Sequence, residues 1–308
     1  MPAAPITRDD IVAAHARIAP HVHRTPVMAA RVAGFDLGFK FEHTQLTGSF
    51  KARGAFNTLL SSPVPEAGVV AASGGNHGAA VALAAVRLGH RAHVFVPEYA
   101  GPAKIALIRA TGAELTVVPG QYADAAAAAR DYEARTGAMQ VHPYDAPATV
   151  AGQGTCFREW DEQGCDADTV LIAVGGGGLI SGALAWWAGT RRVVAVEPAL
   201  APTLHEALAH GPDTRVEVGG IAANALGAQQ IGHIGYGLAR AQGVTSLLVG
   251  DDDIAAAQRL IWDELRQFVE PAGATALAAL TSGAYRPAPG ERVAVLLCGA
   301  NPAPGPWG

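Results

Sequence analysis

Short apolar runs rich in β-branched residues recur along the chain and alternate with stretches of helical character. Six such runs predict buried strands, at residues 68–73, 92–97, 114–119, 169–175, 191–198 and 292–299. Helices are predicted between them, among others at residues 76–89, 122–135 and 251–270. Because this alternation places helices on the faces of a parallel sheet, the sequence predicts an α/β fold.

Composition excludes several classes of function. Of the 308 residues, 50% are hydrophobic and 16% are charged, and the net charge is -5. Neither nucleic acid nor an anionic membrane surface is therefore an expected partner. Cys156, Cys165 and Cys298 form no CxxC pair, which favours a reducing compartment over a disulfide-bonded or zinc-bound fold. With no leader-like N-terminus and no run approaching the roughly 20 apolar residues of a membrane span, we expect a soluble, cytoplasmic protein with a small-molecule partner.

Three loops that contain glycine or asparagine each follow a predicted strand. They comprise residues 73–77 (SGGNH), 175–178 (GGGG) and 298–301 (CGAN). In open parallel sheets, ligands bind beyond the carboxyl ends of the strands. The three loops are therefore expected to converge on one pocket.

The glycine run and one lysine suggest a cofactor. The segment VGGGGLISG, at residues 174–182, offers successive backbone N–H groups at a predicted helix start, which is how a phosphate is held without a cation; a plain glycine turn is the alternative. Lys51 opens another predicted helix, where the helix dipole disfavours a positive charge. A covalent bond to an aldehyde cofactor would offset that disadvantage, whereas a solvated surface lysine is the alternative. Together the two features suggest pyridoxal phosphate.

Six motifs in order resemble those of the fold-type II pyridoxal-phosphate enzymes, and among these the serine/threonine dehydratase and serine racemase group. The motifs are TGSFKARGA, SGGNHGAA, VHPYDAPATVAGQGT, VGGGGLISG, VEP and CGAN. The resemblance implies a fold like that of the tryptophan synthase β subunit, with two parallel-sheet α/β domains and the cofactor in the cleft between them. The expected large, cofactor-binding domain comprises residues 1–67 and 145–308, and the expected small domain comprises residues 68–144.

The same resemblance implies how the cofactor is held. Lys51 would join it as a Schiff base and serve as the catalytic base, Phe50 would pack against its ring, and Asn76 would bind the ring hydroxyl. Cys298 would face the pyridine nitrogen, where a neutral thiol would not keep that nitrogen protonated. The phosphate would be bound by the backbone of Gly175, Gly176, Gly177, Gly178 and Leu179.

Substrate binding is expected in the loop at residues 73–77. The resemblance implies that Ser73, Asn76 and His77, with the adjoining backbone amides, bind the substrate carboxylate. A structural turn with an asparagine cap is the alternative for this loop. A lone histidine at a helix start commonly satisfies local hydrogen bonds, so we expect no catalytic role for His77.

Two positions depart from the pattern of the group. Gly74 stands where the racemases have a serine that protonates the opposite face of the substrate, so dehydration is favoured over racemisation. Glu197 and Ala201 match the group's divalent-cation site, but Thr203 replaces its aspartate. Because one lost carboxylate weakens a site for a hard cation, we assign no metal.

The expected function is that of a pyridoxal-phosphate-dependent ammonia-lyase. It would eliminate water from L-serine- or L-threonine-type β-hydroxy amino acids and release a 2-oxo acid and ammonia. The alternatives are a serine racemase or β-replacement enzyme on the same scaffold, a non-catalytic pyridoxal-phosphate carrier, and a nucleotide-binding regulator, against which the absence of GxGxxG counts. The resemblance further implies a homodimer without a C-terminal regulatory domain.

Overall fold

The computed structural model describes residues 6–120 and 122–301. The strands in these ranges are β1 (Val27–Val32), β2 (Phe35–Phe41), β3 (Val69–Ala72), β4 (Ala92–Pro97), β5 (Glu114–Val118), β6 (Met139–Gln140), β7 (Thr169–Ala173), β8 (Arg192–Pro198), β9 (Thr245–Val249) and β10 (Val293–Leu297). The helices are α1 (Arg8–Ile18), α2 (Lys51–Ser61), α3 (Asn76–Arg87), α4 (Pro102–Arg109), α5 (Tyr122–Thr136), α6 (Pro147–Glu162), α7 (Gly178–Trp187), α8 (Thr203–His210), α9 (Ala223–Leu226), α10 (His233–Ala241), α11 (Asp251–Leu265) and α12 (Pro271–Thr281). No helix within the described ranges is long and apolar enough to cross a membrane.

The strands form two sheets, which confirms the expected α/β fold. One has six strands in the order β1-β2-β10-β7-β8-β9, and the other has four in the order β5-β4-β3-β6. All six predicted apolar runs are strands, namely β3, β4, β5, β7, β8 and β10. Their neighbours run parallel, as expected.

One edge of the larger sheet departs from parallel pairing. Strand β1 pairs antiparallel with β2. Ala33 and Gly34 connect them, with φ values of 50° and 86°. Two successive left-handed residues make the tight turn that matches the twist of a hairpin, so the chain reverses here without a crossover helix.

The central strands are buried on both faces, which explains their continuous apolar runs. Every residue of β7 and of β10 is buried. Helix α12 packs against β7, β8 and β10, and α6 packs against both α2 and α7. Helix α2, which begins at Lys51, packs against α6 on one side and against α3 on the other, and so lies between the two sheets.

All four strands of the smaller sheet lie between residues 69 and 140. We therefore propose that residues 68–144 form the small domain, and that the chain before and after this segment forms the large one. Each segment has buried apolar clusters of its own, as separate domains require. A further cluster joins α2 to β3 and α3 and so connects the two segments.

The predicted helix at residues 251–270 is shorter than expected. Helix α11 ends at Leu265 because Arg266 adopts the left-handed conformation, with φ 54°. The chain then runs without helix to Glu270, which precedes the first residue of α12, Pro271. This break brings Glu270 to the site described next.

Candidate active site

A cavity lies where β7 and β10 end and where α2, α3, α7 and α12 begin. Its lining is formed by residues 173–180 together with Phe50, Lys51, Asn76, Tyr144, Ala225, Leu226, Glu270, Ala272 and Cys298. Each of the three loops singled out in the sequence contributes to it, and every residue that the resemblance assigns to the cofactor lines it. Ser73 and His77, although described by the structure, lie outside this lining.

Backbone hydrogen bonds join two motifs that are distant in sequence, TGSFKARGA and CGAN, beside the cavity. The Phe50 amide donates to the Cys298 carbonyl at 3.3 Å, and the Ala300 amide donates to the Gly48 carbonyl at 2.8 Å. Thr47 and Gly48 have φ values of 59° and 73°, so the chain turns sharply just before α2. The start of α2 is thereby fixed against the end of β10.

Lys51 presents a partly buried amine to the cavity. Its Nζ donates to the Pro143 carbonyl at 2.8 Å and lies 5.2 Å from the centre of the Phe50 ring. Burial lowers the pKa of Lys51 from 10.5 to about 8, against an opposing effect of the neighbouring Cys298. A sizeable neutral fraction of the amine follows near neutral pH, as a nucleophile or base requires.

The glycine loop needs glycine because two other segments press against it. A Cβ at Gly175 would lie 2.8 Å from Leu226 Cα, and a Cβ at Gly178 would lie 2.9 Å from Tyr144 Cα. At Gly176 a Cβ would overlap the Tyr144 ring. The loop leads directly into α7, whose first N–H groups have no acceptor within the helix. Backbone amides and a helix N-terminus together form a cradle for an anion.

Cys298 is a neutral thiol in this setting. It is buried, and its Sγ donates to the Ala272 carbonyl at 3.3 Å. Burial raises the pKa of the thiol, and the nearby Glu270 carboxylate raises it further. That it faces a cofactor nitrogen stays a prediction.

Glu270 and Tyr144 line the cavity, although neither has a role in the sequence-based assignment. A signal for Glu270 was present, because the tripeptide VEP occurs twice, at residues 196–198 and at residues 269–271. The resemblance assigns a role only to the first copy. Proline at the first helical position marks the second copy as a helix start, which would have placed Glu270 at the end of a loop near the sheet.

Ser73 and His77 form hydrogen bonds within the protein. The Ser73 hydroxyl accepts from the Gly75 amide at 3.2 Å, which makes it part of a local turn. His77 is buried, and its Nε2 donates to the Val141 carbonyl at 2.8 Å. Burial lowers the pKa of His77 to about 3, and the Lys51 charge adds to this effect. The imidazole is therefore neutral and holds the loop to the end of β6.

The residues that resemble a cation site are engaged in hydrogen bonds. The Glu197 carboxylate accepts from the backbone amides of Leu204 and His205, at 2.6 and 2.8 Å, and from the Ser246 hydroxyl at 2.6 Å. The Thr203 hydroxyl donates to the Ala228 carbonyl. Glu197 thus binds the start of α8, and a cation would have to displace these donors.

The cavity suits pyridoxal phosphate. Its aldehyde requires a neutral amine, its phosphate requires backbone N–H groups, and its ring requires apolar walls. Lys51, the loop at residues 175–178 and Phe50 supply these three features. Side chains at these glycine positions would collide with Leu226 and Tyr144. The glycines therefore let the backbone of the loop lie close to these residues at the cavity wall.

Comparisons with known proteins agree with this geometry. The family model described as "Pyridoxal-phosphate dependent enzyme" matches residues 18–299. Phenylserine dehydratase of Ralstonia pickettii is 38% identical, over 94% of this chain and 92% of that protein. The threonine deaminase of T.th. has a TM-score of 0.89 at 36% identity, covering 97% of this chain and 100% of the other. Maize serine racemase has a TM-score of 0.89 at 32% identity, and the match covers 97% of this chain and 94% of the racemase chain.

Proposed function

The chain belongs to the family of pyridoxal-phosphate-dependent enzymes, and from this premise we propose that it is an ammonia-lyase. It eliminates water from L-serine- or L-threonine-type β-hydroxy amino acids and yields a 2-oxo acid and ammonia. The observation that carries this proposal is the partly buried amine of Lys51, with its lowered pKa, in a cavity that also contains an amide-rich loop. Support comes from relatives whose names are those of a dehydratase and a deaminase.

We assign the cofactor to the cavity lining. Phe50, Asn76, Cys298 and the backbone of residues 175–179 would hold it, and Lys51 would bond to it covalently. When bound, pyridoxal phosphate withdraws electrons from the substrate and thereby makes the Cα proton removable. Lys51 Nζ takes that proton, because its amine lines the cavity and Pro143 fixes its position.

We further propose that the loop at residues 73–77 binds the substrate carboxylate. Helix α3 begins at Asn76, so the first N–H groups of this helix point out of its N-terminus, where they could bind an anion. Ser73 and His77 shape this loop through their own hydrogen bonds. Asn76 is the member of the set that also lines the cavity.

The pH dependence of turnover follows from the pKa of Lys51. An amine acts as a base only in its unprotonated form. We therefore expect kcat to fall as the pH decreases through about 8, with the slope of a single protonation. The measurement is kcat for L-threonine at saturating substrate between about pH 6 and pH 9.5. A kcat that stays constant down to about pH 6 would contradict this role for Lys51.

Racemisation is disfavoured because the space next to Gly74 is filled. A Cβ at Gly74 would lie 2.5 Å from the Cβ of Ala100 and 3.7 Å from Pro97 Cδ. Ala100 Cβ is attached directly to the backbone, so it cannot move aside as the end of a long side chain does. A second acid–base side chain therefore has no room at position 74.

This packing makes a prediction for a pair of variants. Gly74→Ser alone should destabilise the protein by about 1–3 kcal/mol, because it overfills the contact with Ala100. Gly74→Ser combined with Ala100→Gly should recover most of that loss and should raise the proportion of D-serine formed from L-serine. Thermal unfolding and chiral chromatography measure the two effects, with Ala100→Gly as control. Equal stability of both Gly74→Ser proteins would refute the steric argument.

The proposal is tested with a panel of substrates. Purified holoenzyme is mixed with L-serine, L-threonine, L-phenylserine or 3-hydroxyaspartate, and the release of 2-oxo acid and ammonium is measured. Equal amounts of both products from at least one substrate are expected. A β-replacement enzyme would instead form an adduct when a thiol is added, and a non-catalytic carrier would release neither product.

We also propose that the protein is a cytoplasmic homodimer. Cys156, Cys165 and Cys298 are free, as is usual for a reducing compartment. Light scattering after size-exclusion chromatography would test the dimer, since it gives the mass of the particle directly.

A further inference from the structure

The side-chain amide of Asn76 is held from two sides. Its Nδ2 donates to Glu270 Oε1 at 2.6 Å, and its Oδ1 accepts from Asn301 Nδ2 at 2.8 Å. Asn301 Nδ2 also donates to the Thr47 carbonyl at 2.6 Å. Asn76 and Glu270 are both buried and both line the cavity. The start of α3 is thus connected to the segments around the larger sheet.

Both bonds specify the same orientation of the amide. An ionised carboxylate accepts hydrogen bonds and does not donate them, so Glu270 selects the nitrogen of Asn76. Asn301 donates through its own nitrogen and therefore selects the oxygen of Asn76. An amide nitrogen carries two N–H groups, and Glu270 accepts from one of them. Since Asn76 lines the cavity, the other is available there for a ligand.

The backbone around Glu270 makes room for this arrangement. A Cβ at Gly299 would overlap Glu270 Oε1 and would lie 3.2 Å from Asn76 Nδ2. The Glu270 amide donates to the Gly299 carbonyl at 3.1 Å, which fixes the two residues together. Glu270 is the residue before α12, yet its side chain does not cap that helix. It extends to Asn76 instead.

We propose that Glu270 is a positioning residue for the cofactor. It orients and polarises the Asn76 amide, so that the second N–H of Asn76 donates to bound pyridoxal phosphate. This inference depends on the proposed function only in that the cavity must bind pyridoxal phosphate. It requires no particular substrate, because Glu270 acts through Asn76.

The test measures the affinity of the purified apoprotein for pyridoxal phosphate. Glu270→Ala should raise the Kd for pyridoxal phosphate about tenfold to a hundredfold, since it leaves a buried N–H group unpaired. Glu270→Gln should have a smaller effect of about threefold to tenfold, since its amide oxygen still accepts from Asn76 but without the charge. In an Asn76→Ala background, Glu270→Ala should change the Kd less than about twofold. Glu197→Gln is the matched control, because Glu197 is a buried glutamate of the other VEP tripeptide and lies outside the cavity lining.

The outcomes are distinguishable. If the Kd of Glu270→Ala equals that of the wild type, or if its effect persists undiminished in the Asn76→Ala background, the positioning role is wrong. Glu197→Gln should alter thermal stability and leave the Kd unchanged; an equal rise in Kd for both glutamate variants would indicate a merely structural effect and overturn the inference. If the wild-type apoprotein gains no visible absorbance band with pyridoxal phosphate, the proposed function itself fails.

Discussion

Lys51→Ala should abolish turnover and leave the fold intact. The variant loses the amine that bonds to the cofactor and takes the substrate proton, so kcat should fall by at least about 10³-fold. The fold should persist because the amine lies at the cavity wall, where it donates to the Pro143 carbonyl. Circular dichroism and the 2-oxo acid assay measure the two effects. Activity above about a tenth of the wild type would contradict the assignment.

A chemical experiment supports this prediction independently of turnover. Reduction of the wild-type holoenzyme with borohydride should leave the mass of the cofactor on the peptide that contains Lys51. Lys51→Arg is the control, because it keeps the positive charge but lacks a nucleophilic amine. Label on a peptide with a different lysine would show that the cofactor is attached elsewhere.

Of the substitutions proposed for this protein, Arg53→Met should lower the free energy of unfolding most. Arg53 is fully buried and donates two hydrogen bonds of 2.8 Å to Glu42 and two, of 3.0 and 3.2 Å, to Glu159. Burial alone would raise the pKa of Glu42, but Arg53 reverses the effect and holds that pKa below its ordinary value. Without Arg53 these two buried carboxylates share the ammonium of Lys40, which bonds to Glu159 at 2.6 Å. The free energy of unfolding should fall by about 3–5 kcal/mol.

An exposed ion pair provides the matched control for Arg53. Arg31 and Asp36 are 3.2 Å apart, and their side chains are 68% and 81% exposed. Arg31→Met should therefore change the free energy of unfolding by less than about 1 kcal/mol. Chemical denaturation at neutral pH compares the two variants. If they lose equal stability, the buried network does not contribute as argued.

The pH dependence of this network has a definite sign. The pKa of Glu42 is lowered in the folded protein, so its contribution to stability is present above the ordinary glutamate pKa and is lost as the pH falls through the folded value. Arg53→Met should remove this part of the dependence. The wild type and the variant should therefore approach each other in stability at acid pH.

The central strands β7, β8 and β10 were predictable because they are buried on both faces, whereas the edge strands β1, β6 and β9 were missed. The edge strand β5 was predicted from its apolar run, although none of its residues is buried. Strand β7 is a continuous apolar run, but β1 is mostly exposed and β6 has two residues. Strand β2 contains Lys40, whose charge argues against a buried strand in the sequence alone. The burial of the Lys40 ammonium depends on Glu159, which is 119 positions further along the chain.

The site was predictable to the extent that its residues lie in local patterns. A glycine run before a helix and a lysine at a helix start carry their chemistry in neighbouring residues. The VEP tripeptide marks Glu270 as the residue before a helix but does not show what its side chain contacts, because its place at the cavity depends on the left-handed break at Arg266 and on contact with Asn76. The steric conflict at Gly74 likewise cannot be predicted from the sequence, since Ala100 lies in a short 3-10 helix that follows β4.

The most direct test of the central claim is turnover of L-serine in deuterium oxide by the wild-type holoenzyme. A single base on one face should release pyruvate, and any serine that gains deuterium at Cα should keep the L configuration. Chiral chromatography with mass detection reports both products in one sample. Pyruvate with little D-serine is the predicted result, whereas deuterated D-serine forming as fast as pyruvate would contradict it.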